Sequence, residues 1–203
     1  GCQMGRTLAL KKSFLFEGSN VDIIRSSGPL LGKSFISKGS SSEIYDGGNS
    51  IFRLSTDGAS HTFVVLAAKQ GLSVPQCLND WGRVMPSDEY PELDFYWLAE
   101  FEKLHELECC PEALEEVKSW VGAVLEFAEV DSNLVTDRQE LGRVCSAIKK
   151  LSVSERLVPV KATMNFMCVQ CLQAGADLDF NESNFMLRSA TGEILVTDPA
   201  HGL

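Results

Sequence analysis

Asp179-Phe-Asn-Glu-Ser-Asn184-Phe-Met-Leu-Arg188, followed by Ser189-Ala-Thr-Gly192 and then Glu193-Ile-Leu-Val-Thr197-Asp198-Pro199, is the stretch that decides the fold. Asn184–Arg188 and Glu193–Thr197 read as two short strands. The small and polar residues between them read as a turn, so the segment is a β-hairpin. Such a hairpin brings Asn184, at its start, close to Asp198, at its end. Asp179 stands in the polar loop 176–183, five residues before Asn184. Taken alone, Asp and Asn at the foot of a hairpin are most often Asx-type turn residues. What precedes them in the chain gives these residues a different meaning.

Upstream of the hairpin the apolar period is helical. Leu114, Val117, Val121, Val124, Leu125 and Ala128 fall on one face behind Pro111, which suits a first helical turn. A second helix is expected from Thr136, whose spacing to Gln139 suits a capping box, and a third from about Val160 to Ala174, stopped by Gly175. Further back the period shortens. Residues 34–38, 43–46 and 50–54 alternate around turns at 39–42 and 47–49, which predicts an antiparallel meander. Residues 63–70 are apolar enough for a helix, with Phe63-Val-Val65 leaving a strand open. Asp94–Glu102 is an aromatic-rich strand with Phe95, Trp97, Ala99 and Phe101 on one face.

Phosphoryl transfer from a nucleotide needs divalent cations held by a few hard oxygens, and a carboxylate beside the attacking hydroxyl. Asp179, Asn184 and Asp198 are residue types that supply both. In this order, Asp179 then Asn184 then Asp198, the sequence resembles the protein-kinase superfamily. Asp179-x-x-x-x-Asn184 looks like its catalytic loop and Asp198 like its metal-binding aspartate. The likeness is to small divergent kinases of podoviruses and to minimal kinases injected by pathogenic bacteria, and it spans about residues 34–203. It implies an α+β, two-lobed protein-kinase-like fold: an N-terminal extension 1–33, a sheet lobe 34–102 with a glycine-rich loop, and a reduced helical lobe 103–203.

The resemblance also implies roles. Asp179 orients or deprotonates the acceptor hydroxyl, Asn181 stands where most Ser/Thr kinases carry Lys, and Asn184 and Asp198 hold Mg2+. Gly39, Ser40, Ser41 and Ser42 cover the ATP phosphates. The third strand offers Arg53 in place of the phosphate-gripping Lys, with Lys38 as a further cation, and the backbone at Glu100–Glu102 faces adenine. Guanidinium and ammonium are not interchangeable there. No acidic residue of the following helix is placed as an ion-pair partner, Asp177 replaces the family's His, and five residues follow Asp198. The expected activity is therefore that of a minimal ATP- and Mg2+-dependent Ser/Thr protein kinase acting on an unidentified protein, with a host protein as one candidate. A catalytically impaired binding module and a small-molecule kinase stay open beside it.

Composition bounds the rest. The chain has 203 residues, with 18 Lys and Arg against 28 Asp and Glu and a formal net charge of -10, which disfavours a nucleic-acid partner. No apolar run reaches the length of a membrane span, and a cytoplasmic location, or that of a host cytoplasm, is expected. Cys2, Cys77, Cys109, Cys110, Cys145, Cys168 and Cys171 are an odd, scattered set, which fits reduced thiols better than a disulfide framework. Cys168-x-x-Cys171 lacks the second pair of a zinc site and reads as core. Gly1-Cys2 opens like a myristoylation signal, but Gly5 stands where Ser or Thr belongs. His61, His105 and His201 lack metal-ligand spacing, and the runs Glu92-Leu-Asp94 and Glu115-Glu116 read as solvated faces.

Overall fold

The computed structural model describes residues 14–39 and 41–202. It begins with a short helix, α1 (Val21–Ser26), capped by the Asn20 side chain. There follow β1 (Ser34–Lys38), β2 (Ser42–Asp46), β3 (Ser50–Ser55), α2 (Gly58–Lys69), β4 (Cys77–Pro86) and β5 (Phe95–Glu102). The strands form one antiparallel sheet in the order β1-β2-β3-β5-β4. The apolar stretch around residue 63 is helical because the Asp57 carboxylate caps it, accepting from the Ser60 N–H at 3.1 Å.

Period-two alternation gives the sheet two buried faces. Phe52 and Leu54 of β3 turn outward with Tyr45, Tyr96 and Leu98, and Phe16, Ile24 and Leu30 cover them. Residues 14–33, expected as an extension, thus supply core to the sheet lobe. The intervening positions turn the other way. Arg53 lies opposite Ala99 and Ile51 opposite Phe101, and Ala99 and Phe101 pack with α2 and the helical lobe. β5 is therefore buried on both faces rather than on the single face that its aromatic residues predicted.

After β6 (His105–Glu106) comes the helical lobe: α3 (Pro111–Ala128), β7 (Leu134–Val135), α4 (Arg138–Lys150) and α5 (Val158–Ala174). Pro111 opens α3 as expected. The cap of α4 is Asp137, which accepts from the Glu140 N–H at 2.9 Å, and not Thr136. Gly175 ends α5 at φ 72°, a left-handed conformation that glycine adopts without cost. Cys145, Cys168 and Cys171 are buried where α4 meets α5.

The chain closes with β8 (Asp177–Asp179), the hairpin β9 (Phe185–Arg188) and β10 (Glu193–Val196), and β11 (Ala200–His201). These make two small sheets, β10-β9-β6 and β11-β8-β7. The first pins the hairpin to the segment leaving β5, and the second pins β8 to the loop after α3. The architecture is α+β and two-lobed, as in the protein-kinase-like fold: a sheet lobe with one long helix, and a mainly helical lobe. No helix among the described residues is long and apolar enough to cross a membrane.

Candidate active site

The hairpin register, Phe185 opposite Val196 and Arg188 opposite Glu193, sets Asn184 beside the residues that follow β10. Asp198 is fixed from both sides. The Thr197 N–H donates to the Asn184 carbonyl at 2.8 Å, and the Asp179 N–H donates to the Pro199 carbonyl at 2.7 Å. Asn184 Nδ2 in turn donates to the main-chain carbonyl of Asp179 at 3.0 Å and to its Oδ2 at 3.1 Å, which directs the amide oxygen away from Asp179. The structure thus brings together the three residues that the sequence singled out.

Aromatic packing holds this loop in place. Phe180 and Phe185, which follow Asp179 and Asn184 directly, are buried edge-to-face against each other and against Trp120 of α3. Asn133, in the loop before β7, completes the hold. Its carbonyl accepts from the Phe180 N–H at 2.8 Å and its Nδ2 donates to the Phe180 carbonyl at 2.9 Å. Asn181, beside Phe180, is engaged within the loop. Its side chain accepts from the Ser183 N–H at 3.0 Å and shapes the turn leading to Asn184.

From the sheet lobe, Arg53 crosses to Asp198, with Nη2 at 3.1 Å from Oδ2. Arg53 is buried rather than solvent-facing, because the inner face of β3 is roofed by α2. The same nitrogen donates to Ser60 Oγ at 2.7 Å, and the Ser60 hydroxyl donates to the other carboxylate oxygen of Asp198. Ser60, in the first turn of α2, occupies the place where an acidic partner of Arg53 was sought. The sequence carried one trace of this arrangement, the Asp57-x-x-Ser60 spacing of a helix cap.

Asp57 has a second partner. His201 stands between it and Asp179, with Nδ1 at 3.6 Å from Asp57 Oδ2 and Nε2 at 3.8 Å from Asp179 Oδ2. Asp179 chiefly, then Asp57, raise the imidazole to about 10 against the opposing effect of burial. The His201 imidazolium, helped by Asn184, holds the Asp179 carboxyl below its usual range despite partial burial. Burial pushes Asp57 up, but His201 and the N–H groups of Ser60 and Gly202 override it and the net direction is downward. Asp57, Asp177, Asp179 and His201 line a cavity of about 580 Å³ together with Ser41 and Asp94.

The remaining predicted residues lie at different distances from this cluster. The Gly39 N–H donates to the Ser42 carbonyl at 2.8 Å and closes the turn, while the Ser41 carbonyl accepts from the Thr56 N–H at 3.0 Å and so reaches the cavity. Ser40 lies outside the described residues. Lys38 is exposed at the end of β1 and lines a separate cavity with Arg25, Glu43 and Tyr96. The structure does not bring it to Arg53 or Asp198. Glu100 accepts from Ser50 and Asn79, and Glu102 accepts from Arg188 Nε at 3.0 Å. Glu100 is paired on either side by β3 and β4, while Glu102 is opposite Ser50 of β3 and donates its N–H to the Gln76 carbonyl at 3.0 Å. Asp177 is held by Arg138 at 3.1 Å.

Among the described residues no group of three or more His, Cys, Asp and Glu side chains is arranged to hold a metal. A nucleotide-borne cation does not require one, since phosphate oxygens and water complete its octahedral shell. Asn184 and Asp198 offer the hard oxygen donors that such a cation takes. Each Asp198 oxygen, though bonded to Arg53 or Ser60, keeps a second lone pair. The donor set fits magnesium delivered with a nucleotide.

No protein-family profile matches the chain, and no curated protein matches it. Among solved structures, the crystal structure of aminoglycoside phosphotransferase APH(4)-Ia is similar over 84% of this chain and 68% of that one, with 16% identity and a TM-score of 0.34. The cleft's own geometry carries the reading that follows.

Proposed function

We propose that the chain is an ATP-dependent phosphotransferase that moves the γ-phosphoryl group to a hydroxyl on another protein. One observation carries this reading. Asp179, Asn184 and Asp198 are tied to one another by main-chain and side-chain hydrogen bonds, and a buried guanidinium from the opposite lobe meets Asp198 at 3.1 Å. Asp198 and Asn184 would hold Mg2+. The cation, when bound, would neutralise charge on the phosphate oxygens. Arg53 lies where it can donate to those same oxygens. Ser41, at the end of the turn after β1, would flank the phosphates through its backbone.

The lowered carboxyl of Asp179, held by His201 and Asn184, supports an aligning role. A carboxylate below its usual range is ionised at neutral pH and is a weak base, so it acts by accepting the hydrogen bond of the incoming hydroxyl and aligning it. Phosphoryl transfer through a loose transition state asks for little more than such positioning. The Ser or Thr acceptor, and a host protein as its carrier, rest on the resemblance to small viral and effector kinases.

A second reading has its own observation. Both carboxylate oxygens of Asp198 are already engaged, one by Arg53 and one by Ser60, which suits a binding module that keeps the fold without turnover. Incubation with labelled ATP, Mg2+ and a cell lysate, beside Asp198→Ala, separates the two. Label on protein above the Asp198→Ala background supports the transferase. Nucleotide binding without excess label supports the module, and label confined to small molecules moves the acceptor to that class.

A further inference from the structure

The phosphotransfer reading leaves His201 unused, yet it joins two acidic residues of the site. Its ring lies between carboxylates from opposite lobes, with Nδ1 at 3.6 Å from Asp57 Oδ2 and Nε2 at 3.8 Å from Asp179 Oδ2. Asp57 caps α2, the helix whose first turn carries Ser60 against Asp198. Asp179 belongs to β8, which pairs with the strand bearing His201 itself. At these distances the contacts are ion pairs rather than hydrogen bonds, and only an imidazolium is attracted to both carboxylates. The ring's position between two carboxylates therefore favours the cation.

The surroundings agree. Facing the ring are Asp57 and the Gly202 N–H that donates to it, Asp179 and Asp177 from β8, and Asp198 from the preceding turn. Asp177 is already held by Arg138 of α4 at 3.1 Å, and Asp198 by Arg53 of β3 at 3.1 Å. No Lys or Arg occurs between Asp177 and Leu187. Among the described residues, His201 is the one cationic group within ion-pair distance of Asp179.

Resting on the phosphotransfer reading, we propose that His201 is a positioning residue for Asp179, a cationic clamp that fastens the acceptor-aligning carboxylate to the cap of α2. With one oxygen of Asp179 engaged by His201 and Asn184, the other is left to meet a hydroxyl. The clamp thus acts on the carboxylate that aligns the acceptor hydroxyl. Its effect falls on the transfer step and not on nucleotide affinity, since neither His201 nor its two partners lies among the groups read as holding the nucleotide.

Two measurements on the full chain test this. The first follows transfer of label from ATP with Mg2+ to the protein acceptors of a cell lysate by wild type and His201→Gln. A fall in kcat of about 100-fold, the scale of a misplaced reacting group, with KM for ATP within about twofold, is the expected result. Unchanged kcat overturns the proposal. The second needs no turnover: the His201 imidazole signal is titrated by NMR in wild type, Asp57→Asn and Asp179→Asn. The clamp predicts a ring still protonated at pH 8 in wild type and moved toward the ordinary value of ~6.5 by each substitution. A wild-type signal titrating near ~6.5 overturns it, whether or not the protein transfers phosphate. Absence of transfer above the Asp198→Ala background is a different failure. It sinks the phosphotransfer reading, and the positioning role with it, even where the titration shows the ring bridged.

Discussion

Arg53 Nη2 and Asp198 Oδ2 lie 3.1 Å apart, although 145 residues separate them in the chain. The pair joins the inner face of β3 to the turn after β10, beside the Arg188–Glu102 link between β9 and β5. Ser60 completes it by accepting from Arg53 and donating to Asp198. A guanidinium in this place serves folding and, in the proposed reaction, phosphate binding.

Removing the carboxylate exposes the first of these roles. The Arg53 side chain is only 9% exposed while that of Asp198 is 30% exposed, so Asp198→Asn leaves a buried cation with Ser60 and a weaker acceptor. A loss of roughly 1–3 kcal/mol in unfolding free energy is expected, below that of a fully buried pair because water still reaches Asp198. Urea denaturation measures it. Combining the change with Arg53→Met should cost less than the sum of the two single losses, and strict additivity would show that the pair is not coupled.

The aromatic support of the Asp179–Asn184 loop gives a second expectation. Phe180 is fully buried against Trp120 and Phe185. Phe180→Ala should destabilise the fold by about 3–5 kcal/mol through lost burial and a cavity. Phe180→Leu keeps most of the volume and should stay folded. Its transfer activity should still fall, because Asp179 is the next residue and the Asn133 bonds reach Phe180 directly. Equal activity of Phe180→Leu and wild type at matched stability would show that the trio serves packing alone.

How much of this was legible follows from the range of the interactions. The meander β1–β3 and the hairpin β9–β10 were readable because alternation and turn residues are local properties. β4 was not, since its register shifts at three places and Gly82 takes a positive φ, which breaks the period of two. α1 is too short for a helical period to declare itself. Asp179, Asn184 and Asp198 were found from motif order. Asp57, Ser60 and His201 were not assigned to the site, because their partners are remote in sequence: Ser60 meets Asp198 and Asp57 meets His201 only after both lobes have formed. The adenine-facing backbone expected at Glu100–Glu102 lies at the end of β5, where Glu100 is paired on both edges and Glu102 is opposite Ser50 and donates to the Gln76 carbonyl.

Helix α3 ends on Glu129 at φ 56°, in the left-handed region that side chains other than Asn or Asp enter at a cost of about 1 kcal/mol. Glu129→Gly removes the Cβ clash but frees the unfolded chain, so the net gain should be at most about 0.5–1 kcal/mol. Gly175, at φ 72° after α5, predicts the opposite sign. Gly175→Ala should destabilise by about 1 kcal/mol, read as a lower thermal midpoint. Its position immediately before β8 makes a loss of transfer activity the expected companion.

The His201 bridge makes stability depend on pH in a defined direction. Asp57 and Asp179 are depressed in the folded protein, so their contribution is present above the unfolded carboxylate value of ~4. It is lost as pH falls through their lower folded values. His201 is raised from its ordinary 6.5 to about 10, so its contribution is complete below ~6.5 and declines as pH rises toward 10. The two limbs leave a plateau between about pH 4 and 6.5 and a fall on the alkaline side. Urea midpoints at pH 6 and pH 9 should therefore differ more in wild type than in His201→Gln. Groups other than His201 are common to both proteins and cancel in the comparison. An equal change in the two would mean that the imidazole carries no charge between the two carboxylates, and that Asp179 is oriented by Asn184 alone.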